Sequence, residues 1–285
     1  MTDHVSACRT WLYVPGHRDR LLAGAAARGA DAVIADLEDA VPSAEAAAAR
    51  ALVGGWLADT STSPLRAVRV GERALDADLD AVVCPNLDVL VVAKADRMLL
   101  ERVDEALRRR EVSRGMDPGG IPVVALIETA AAVLDAPSIA TSPRVALLAI
   151  GEADLAADLR IRPSPDEREL VGVRTQVVLA AAASGLPAPM GPVCTEYRDI
   201  GLLRGRAQAA VAQGFRSLAA IHPAQVPVLT DVLTPSPAEV AEARALLDAL
   251  GPTDGGAAIG PDGRMVDEAV ARQAREVLAR ADRAG

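Results

Sequence analysis

Two wholly apolar runs, Val123–Ile127 and Val145–Ile150, flank an alanine-rich stretch, Thr129–Ala140. A buried run, a helix and a second buried run make a βαβ unit, whose two strands lie parallel and are covered on both faces. The same alternation extends in both directions. Upstream, strands are predicted at Thr10–Val14, Ala32–Asp36, Leu65–Val70 and Asp88–Ala93. The helices between them fall at Asp19–Ala27, Ala44–Ala58 (with Ser43 as its cap), Ala74–Val82 and Arg97–Arg110. Downstream, Pro187–Met190 and Phe215–Ile221 are the seventh and eighth strands, with helices at Asp166–Ala183, Arg198–Gln213 and Ala224–Val232.

Eight strand–helix repeats over roughly 220 residues fit a closed (β/α)8 TIM barrel of the α/β class, which typically takes about 250 residues. An open doubly wound sheet would carry a G-x-G-x-x-G turn after its first strand, and none occurs. Residues 1–234 are therefore read as the barrel. Residues 235–285 form a C-terminal helical extension: a helix at Ser236–Leu250, a glycine-rich connection at Gly251–Gly263 and a helix at Asp267–Arg283. One barrel does not need this tail, so it is expected to contribute to a neighbouring subunit.

Composition narrows the function. Aromatic residues are 2% of the chain and the formal net charge is −9, which suits neither base stacking nor a phosphate backbone. No nucleic-acid partner is expected. No segment reaches the ~20 apolar residues of a membrane span, and the N-terminus lacks the apolar centre of a signal peptide. Three widely spaced cysteines indicate neither a disulfide framework nor a zinc site. The expected setting is the cytoplasm.

Chemistry in a parallel barrel sits at the C-terminal ends of the strands. In order, those ends carry Asp36, Glu38 and Asp39, then Arg69, Lys94, Glu128, Asp154 and His222. Glu128 and Asp154 follow neighbouring parallel strands, so their carboxylates are expected to converge. With three histidines in the whole chain, an all-oxygen site of this kind points to a hard divalent ion such as Mg²⁺. Arg69 can fork onto a substrate carboxylate or support a developing oxyanion. Glu38 and Asp39 can orient metal-bound waters. Lys94 either helps bind the substrate or offsets the neighbouring carboxylates, and His222 reads as a rim residue with a backbone partner.

These residues sit within seven motifs: RTWLYVPG (Arg9–Gly16), DLEDAV (Asp36–Val41), VVALIETA (Val123–Ala130), GEADLAADL (Gly151–Leu159), TEYRD (Thr195–Asp199), AIHPAQV (Ala220–Val226) and GRMVD (Gly263–Asp267). Their order and spacing resemble the citrate lyase beta subunit and malyl-CoA lyase family within the HpcH/HpaI aldolase superfamily, over nearly the whole chain. The resemblance implies a metal-dependent carbon–carbon lyase. Its substrates are CoA thioesters of hydroxy acids such as malyl-, citramalyl- or citryl-CoA. It further implies Glu128 and Asp154 as Mg²⁺ ligands, Arg69 as a substrate-contacting arginine, and Asp267 as an acid/base delivered to an adjacent subunit of a homotrimer or hexamer. The sequence departs from the family pattern at Gly71, Ala93, Asp96, Arg160 and Met190. Two alternatives stay open. One is a pyruvate-type metal-dependent aldolase that cleaves a keto acid without CoA, and the other a subunit that works only within a carrier-protein complex.

Overall fold

The computed structural model describes residues 3–59, 64–250, 258–259 and 265–282. Eight parallel strands close on one another in sequence order. They are β1 (Thr10–Pro15), β2 (Ala32–Asp36), β3 (Leu65–Val70), β4 (Val89–Val92), β5 (Val123–Ile127), β6 (Val145–Ile150), β7 (Met190–Gly191) and β8 (Ser217–Ala220). Closure is made by β1 against β8, with Trp11 opposite Ala219. The fold is thus a (β/α)8 barrel, followed by C-terminal helices.

Alternate residues of each strand fill the interior. Trp11, Ala32, Ile34, Ala67, Val89, Val91, Val124, Leu126, Leu147, Ala149, Met190 and Ala219 form one buried cluster. Small residues on β2, β3, β6 and β8 make room for Trp11, the largest buried side chain, as interdigitation in a filled barrel requires. Continuing these inward rows by one step reaches the rim: Ile34 leads to Asp36, Ala67 to Arg69, Leu126 to Glu128 and Ala149 to Gly151. The period of two therefore aims those rim residues over the barrel axis. One irregularity sets this phase on β6. Val123 pairs with Val145 but Val124 pairs with Leu147, so Ala146 is an extra, bulged residue.

The far end of the barrel is fastened by carboxylates. Asp31, just before β2, accepts hydrogen bonds from the backbone N–H groups of Arg9 and Thr10 at 2.8 and 3.0 Å. Asp88, just before β4, does the same for Arg66 at 2.7 Å. Glu111 is fully buried, accepts two bonds from the Arg144 guanidinium at 2.7 and 2.8 Å, and takes the backbone N–H groups of Gly119 and Ile121. It ties the loop before β5 to the start of β6.

Several expected elements differ in detail. The alanine-rich stretch is two short helices, Ala130–Leu134 and Ala136–Ala140. Proline at the second position of the latter lacks the N–H needed to continue one helix. Ser43 is not the cap of its helix, which runs Ala46–Ala58 after a 3-10 turn at Ser43–Glu45. The helix before β7 is Val171–Ala183, because residues 168–170 are a 3-10 turn. β7 has only two residues, shifted to Met190–Gly191, since three prolines in Pro187–Pro192 remove ladder donors. A helix at Glu152–Asp158 follows β6 directly and was not foreseen.

The chain divides into two compact units, Met1–Thr230 and Asp231–Gly285. In the second, the helix Pro237–Leu250 opens with a reciprocal cap. The Ser236 N–H donates to Glu239 and the Glu239 N–H to Ser236 Oγ. A two-stranded ribbon, β9 (Ala258–Ile259) with β10 (Met265–Val266), precedes the helix Glu268–Asp282. Most of the expected glycine-rich connection lies outside the described residues. Among the described residues no helix is long and apolar enough to cross a membrane.

Candidate active site

The C-terminal mouth of the barrel encloses a cavity of about 310 Å³. It is lined by Asp36, Asp39, Arg69, Glu128 and Asp154 together with Pro15, Ile150, Met190, Val193 and Ile221.

Glu128 is 2% exposed and belongs to the inward row of β5. Burial pushes its carboxyl up to about 7, against the opposing pull of Arg69 and Lys94. Its Oε2 accepts the backbone N–H of Lys94 at 3.0 Å. Gly151 stands beside it: a Cβ there would lie 2.5 Å from Glu128 Cγ and 2.6 Å from Oε1. Only a residue without a side chain leaves the carboxylate its place. Asp154 is half exposed, on the first turn of the helix after β6.

The structure brings Glu128 and Asp154 together. Each places a carboxylate oxygen 3.9 Å from the same atom, Nζ of Lys94, so the two oxygens are separated by at most twice that distance. Lys94 also donates to Glu38 at 2.7 Å and to Asp39 at 3.3 Å. To aim its ammonium there, Lys94 adopts a left-handed backbone, φ 49°, which is uncommon for a side chain other than glycine or asparagine. Although burial opposes it, the bond to Glu38 holds the ammonium above its usual range. Lys94 thus neutralises the acidic group.

Arg69 does not reach freely into the cavity. Its Nε and Nη2 fork onto Asp36 at 2.7 and 2.6 Å, Nη1 lies 3.4 Å from Glu38, and the guanidinium carbon sits 5.2 Å above the Tyr13 ring. Asp36, 1% exposed, also accepts the backbone N–H groups of Glu38 and Ala40. Burial lowers the basicity of Arg69, yet the Asp36 fork more than restores it. Asp36 therefore aims Arg69, a role that its position at a strand end does not disclose. Glu38 is wedged against Gly71, where a Cβ would come within 2.7 Å of Glu38 Cγ. Apart from the Arg69 approach, Glu38 and Asp39 both accept from Lys94, and Glu38 also accepts the Asp39 N–H.

Two further groups, the Glu152–Arg174 pair and Gln225, were not singled out from the sequence. Glu152 forks onto the buried Arg174, which also binds Glu167 at 2.6 Å. This ion network backs the cavity wall beside Asp154. Gln225 is fully buried, accepts the N–H groups of Ile221 and His222 and donates to the Cys194 carbonyl at 2.7 Å. His222 is exposed, accepts from the Ala224 N–H through Nδ1 and stacks on Tyr197 with centroids 4.7 Å apart. Asp267 lies in the second unit. There its Oδ1 accepts the N–H groups of Ala269 and Val270, capping the last helix.

Among the described residues no three His, Cys, Asp or Glu side chains form a closed metal cage. Mg²⁺ rarely takes one. It is held by one or two carboxylates and keeps its other positions for water and substrate oxygens. A buried and a half-exposed carboxylate, converging on one cationic nitrogen beside a cavity, fit that habit.

Residues 9–223 match the HpcH/HpaI aldolase/citrate lyase family. The chain belongs to that family. It is a citrate lyase beta-like enzyme. The chain is 36% identical over 280 residues to the citrate lyase subunit beta-like protein of Deinococcus radiodurans, covering 95% of this chain and 96% of that one. It is 34% identical over 285 residues to a (3S)-malyl-CoA thioesterase of Cereibacter sphaeroides, covering 99% and 97%. The crystal structure of CitE from Mycobacterium tuberculosis, in complex with magnesium, acetoacetate and coenzyme A, aligns with a TM-score of 0.79 at 30% identity over 97% of this chain and 99% of that one.

Proposed function

We propose that this family member is a Mg²⁺-dependent lyase that makes or breaks a carbon–carbon bond in a hydroxyacyl-CoA thioester by Claisen chemistry. The observation that carries the reading is the meeting of Glu128 and Asp154 at the barrel mouth beside the forked Arg69. Glu128 and Asp154 would hold the ion. When bound, Mg²⁺ supplies Lewis-acid polarisation of the substrate's hydroxyl and carboxylate oxygens.

The chain's own groups do the rest. Arg69, fixed in angle by Asp36 and from below by Tyr13, offers its remaining N–H edge to the enolate oxygen that develops as the bond breaks. Donors set in place before the reaction need no reorganisation during it. Lys94 holds Glu38 and Asp39 away from that forming anion by pairing with them. Asp267 of a neighbouring copy delivers a proton to the enolate carbon in cleavage, while the substrate hydroxyl gives up its own proton to water as it becomes the carbonyl; condensation reverses both transfers.

A second reading is thioester hydrolysis, favoured by the 34% identity to the thioesterase over 99% of this chain. Incubating the protein with malyl-, citramalyl-, citryl- and 3-hydroxyacyl-CoA, with and without Mg²⁺, separates the two by product. A lyase releases a shorter acyl-CoA and an oxo acid, whereas a thioesterase releases free CoA and the intact hydroxy acid. If no thioester yields a Mg²⁺-dependent product, the proposal is overturned.

A further inference from the structure

Two kinds of residue line the cavity, carboxylates with one arginine and apolar side chains, and their balance bears on which hydroxy acid fits. Beside these charged groups, Ile150, Met190, Val193 and Ile221 supply an apolar lining. Met190 is 1% exposed and is the inward residue of β7, continuous with the apolar cluster that fills the barrel. Among the described residues that line the cavity, Arg69 is the one cation; two of its three nitrogens fork onto Asp36 and the third lies 3.4 Å from Glu38. Arg174, behind the wall, is committed to Glu152 and Glu167.

Charge at the mouth is also in surplus. Asp36, Glu38, Asp39, Glu128 and Asp154 are five carboxylates against the two fixed cations Arg69 and Lys94. A divalent ion still leaves the group negative by one. One substrate carboxylate can be held at the ion. A second would enter an already negative mouth and lose its water against methyl and methylene groups, a costly transfer without a partner.

Resting on the lyase reading above, we propose that the acid released on cleavage is a 2-oxo acid with one carboxylate and a small uncharged alkyl substituent. Met190, with Ile150 and Val193, selects against a second carboxylate. In terms of thioesters, the enzyme takes citramalyl-CoA, which carries a methyl group at this position, in preference to citryl-CoA, which carries a carboxymethyl group there. Met190 is a specificity-determining residue on this account. Desolvating a carboxylate that has no partner costs far more than the contact of one added methylene returns, so a preference of about tenfold or more is expected.

The test compares kcat/KM for the two thioesters in the wild type, Met190→Leu and Met190→Lys. Calorimetric binding of pyruvate and freshly dissolved oxaloacetate, the oxo acids the two thioesters release, to the Mg²⁺-loaded protein gives a readout without turnover. The expected result is at least about tenfold preference for the alkyl member of each pair, kept in Met190→Leu and reduced or reversed in Met190→Lys. Equal use of both thioesters, or preference for citryl-CoA and oxaloacetate, overturns this inference while leaving the lyase reading in place. Should neither thioester be cleaved and neither oxo acid bind, the lyase reading fails and this inference with it. The wild-type comparison decides even if Met190→Lys does not fold.

Discussion

Replacing Gly151 by alanine adds one methyl group and tests how Glu128 is held. The new Cβ would stand 2.5 Å from Glu128 Cγ, 2.6 Å from Oε1 and 2.9 Å from Cδ. Carbon atoms in contact prefer about 3.5–4.0 Å, so the carboxylate must retreat by about 1 Å. The backbone offers no objection of its own, because Gly151 has φ −108° and ψ 92°, an extended conformation open to any residue. Nor can Glu128 yield easily, since Oε2 is tied to the Lys94 N–H at 3.0 Å. A displacement of about 1 Å in a reacting constellation can cost about 100-fold in rate. Gly151→Ala should therefore lose about two orders of magnitude in kcat and bind Mg²⁺ at least about tenfold more weakly. Its melting temperature should stay within a few degrees of the wild type. Calorimetric Mg²⁺ titration and thermal denaturation on the same preparation measure both. Wild-type Mg²⁺ affinity in a folded Gly151→Ala protein would refute the claim that this glycine sets the position of the ligand.

Arg69→Lys keeps the charge but cannot fork onto Asp36, so kcat/KM should fall by about 10²–10³-fold with Mg²⁺ affinity little changed; steady-state kinetics and metal titration decide. Asp267→Asn should abolish lyase turnover and leave Mg²⁺ binding intact; normal turnover would remove Asp267 from the mechanism. Glu111→Gln should destabilise the barrel by about 2 kcal/mol near neutral pH, because it leaves the buried Arg144 with one carboxylate partner, Asp104, in place of two. Burial alone would raise the Glu111 carboxyl, but Arg144 and the Gly119 and Ile121 N–H groups hold it below its ordinary 4.5. Its stabilisation is therefore complete above about pH 4.5 and is lost as the pH falls through the folded value. Urea midpoints of wild type and Glu111→Gln should thus converge between pH 5 and 3; a constant gap would exclude Glu111 as the titrating group.

The barrel was legible because its strands are runs of Val, Ile, Leu and Ala that follow a simple period, each ended by a charged or breaking residue. The approach of Glu128 to Asp154 was legible for the same reason, as a property of neighbouring parallel strands. What the pattern hid depends on partners far apart in sequence. Asp36 and Arg69 are 33 positions apart, and nothing local says that one forks onto the other. Lys94 lies 56 positions from Glu38, and its left-handed backbone has no glycine to announce it. Gly151 could have been found by continuing the inward row Leu147, Ala149 by one step. The bulge at Ala146, which sets the phase of that row, has no such local mark. The split of the Thr129–Ala140 helix at Pro137 was a matter of weighing alanine's preference against proline's missing donor.

The tethered ammonium of Lys94 has a consequence for how this protein lives with changing ion supply. Four acidic side chains crowded at one opening would push each other apart if nothing positive stood among them. A resident counter-charge that the chain itself carries keeps that opening assembled when no divalent ion is present. Treatment with a chelator should then yield an intact, silent protein that revives on adding the ion back, so that scarcity idles the enzyme without sending it to degradation.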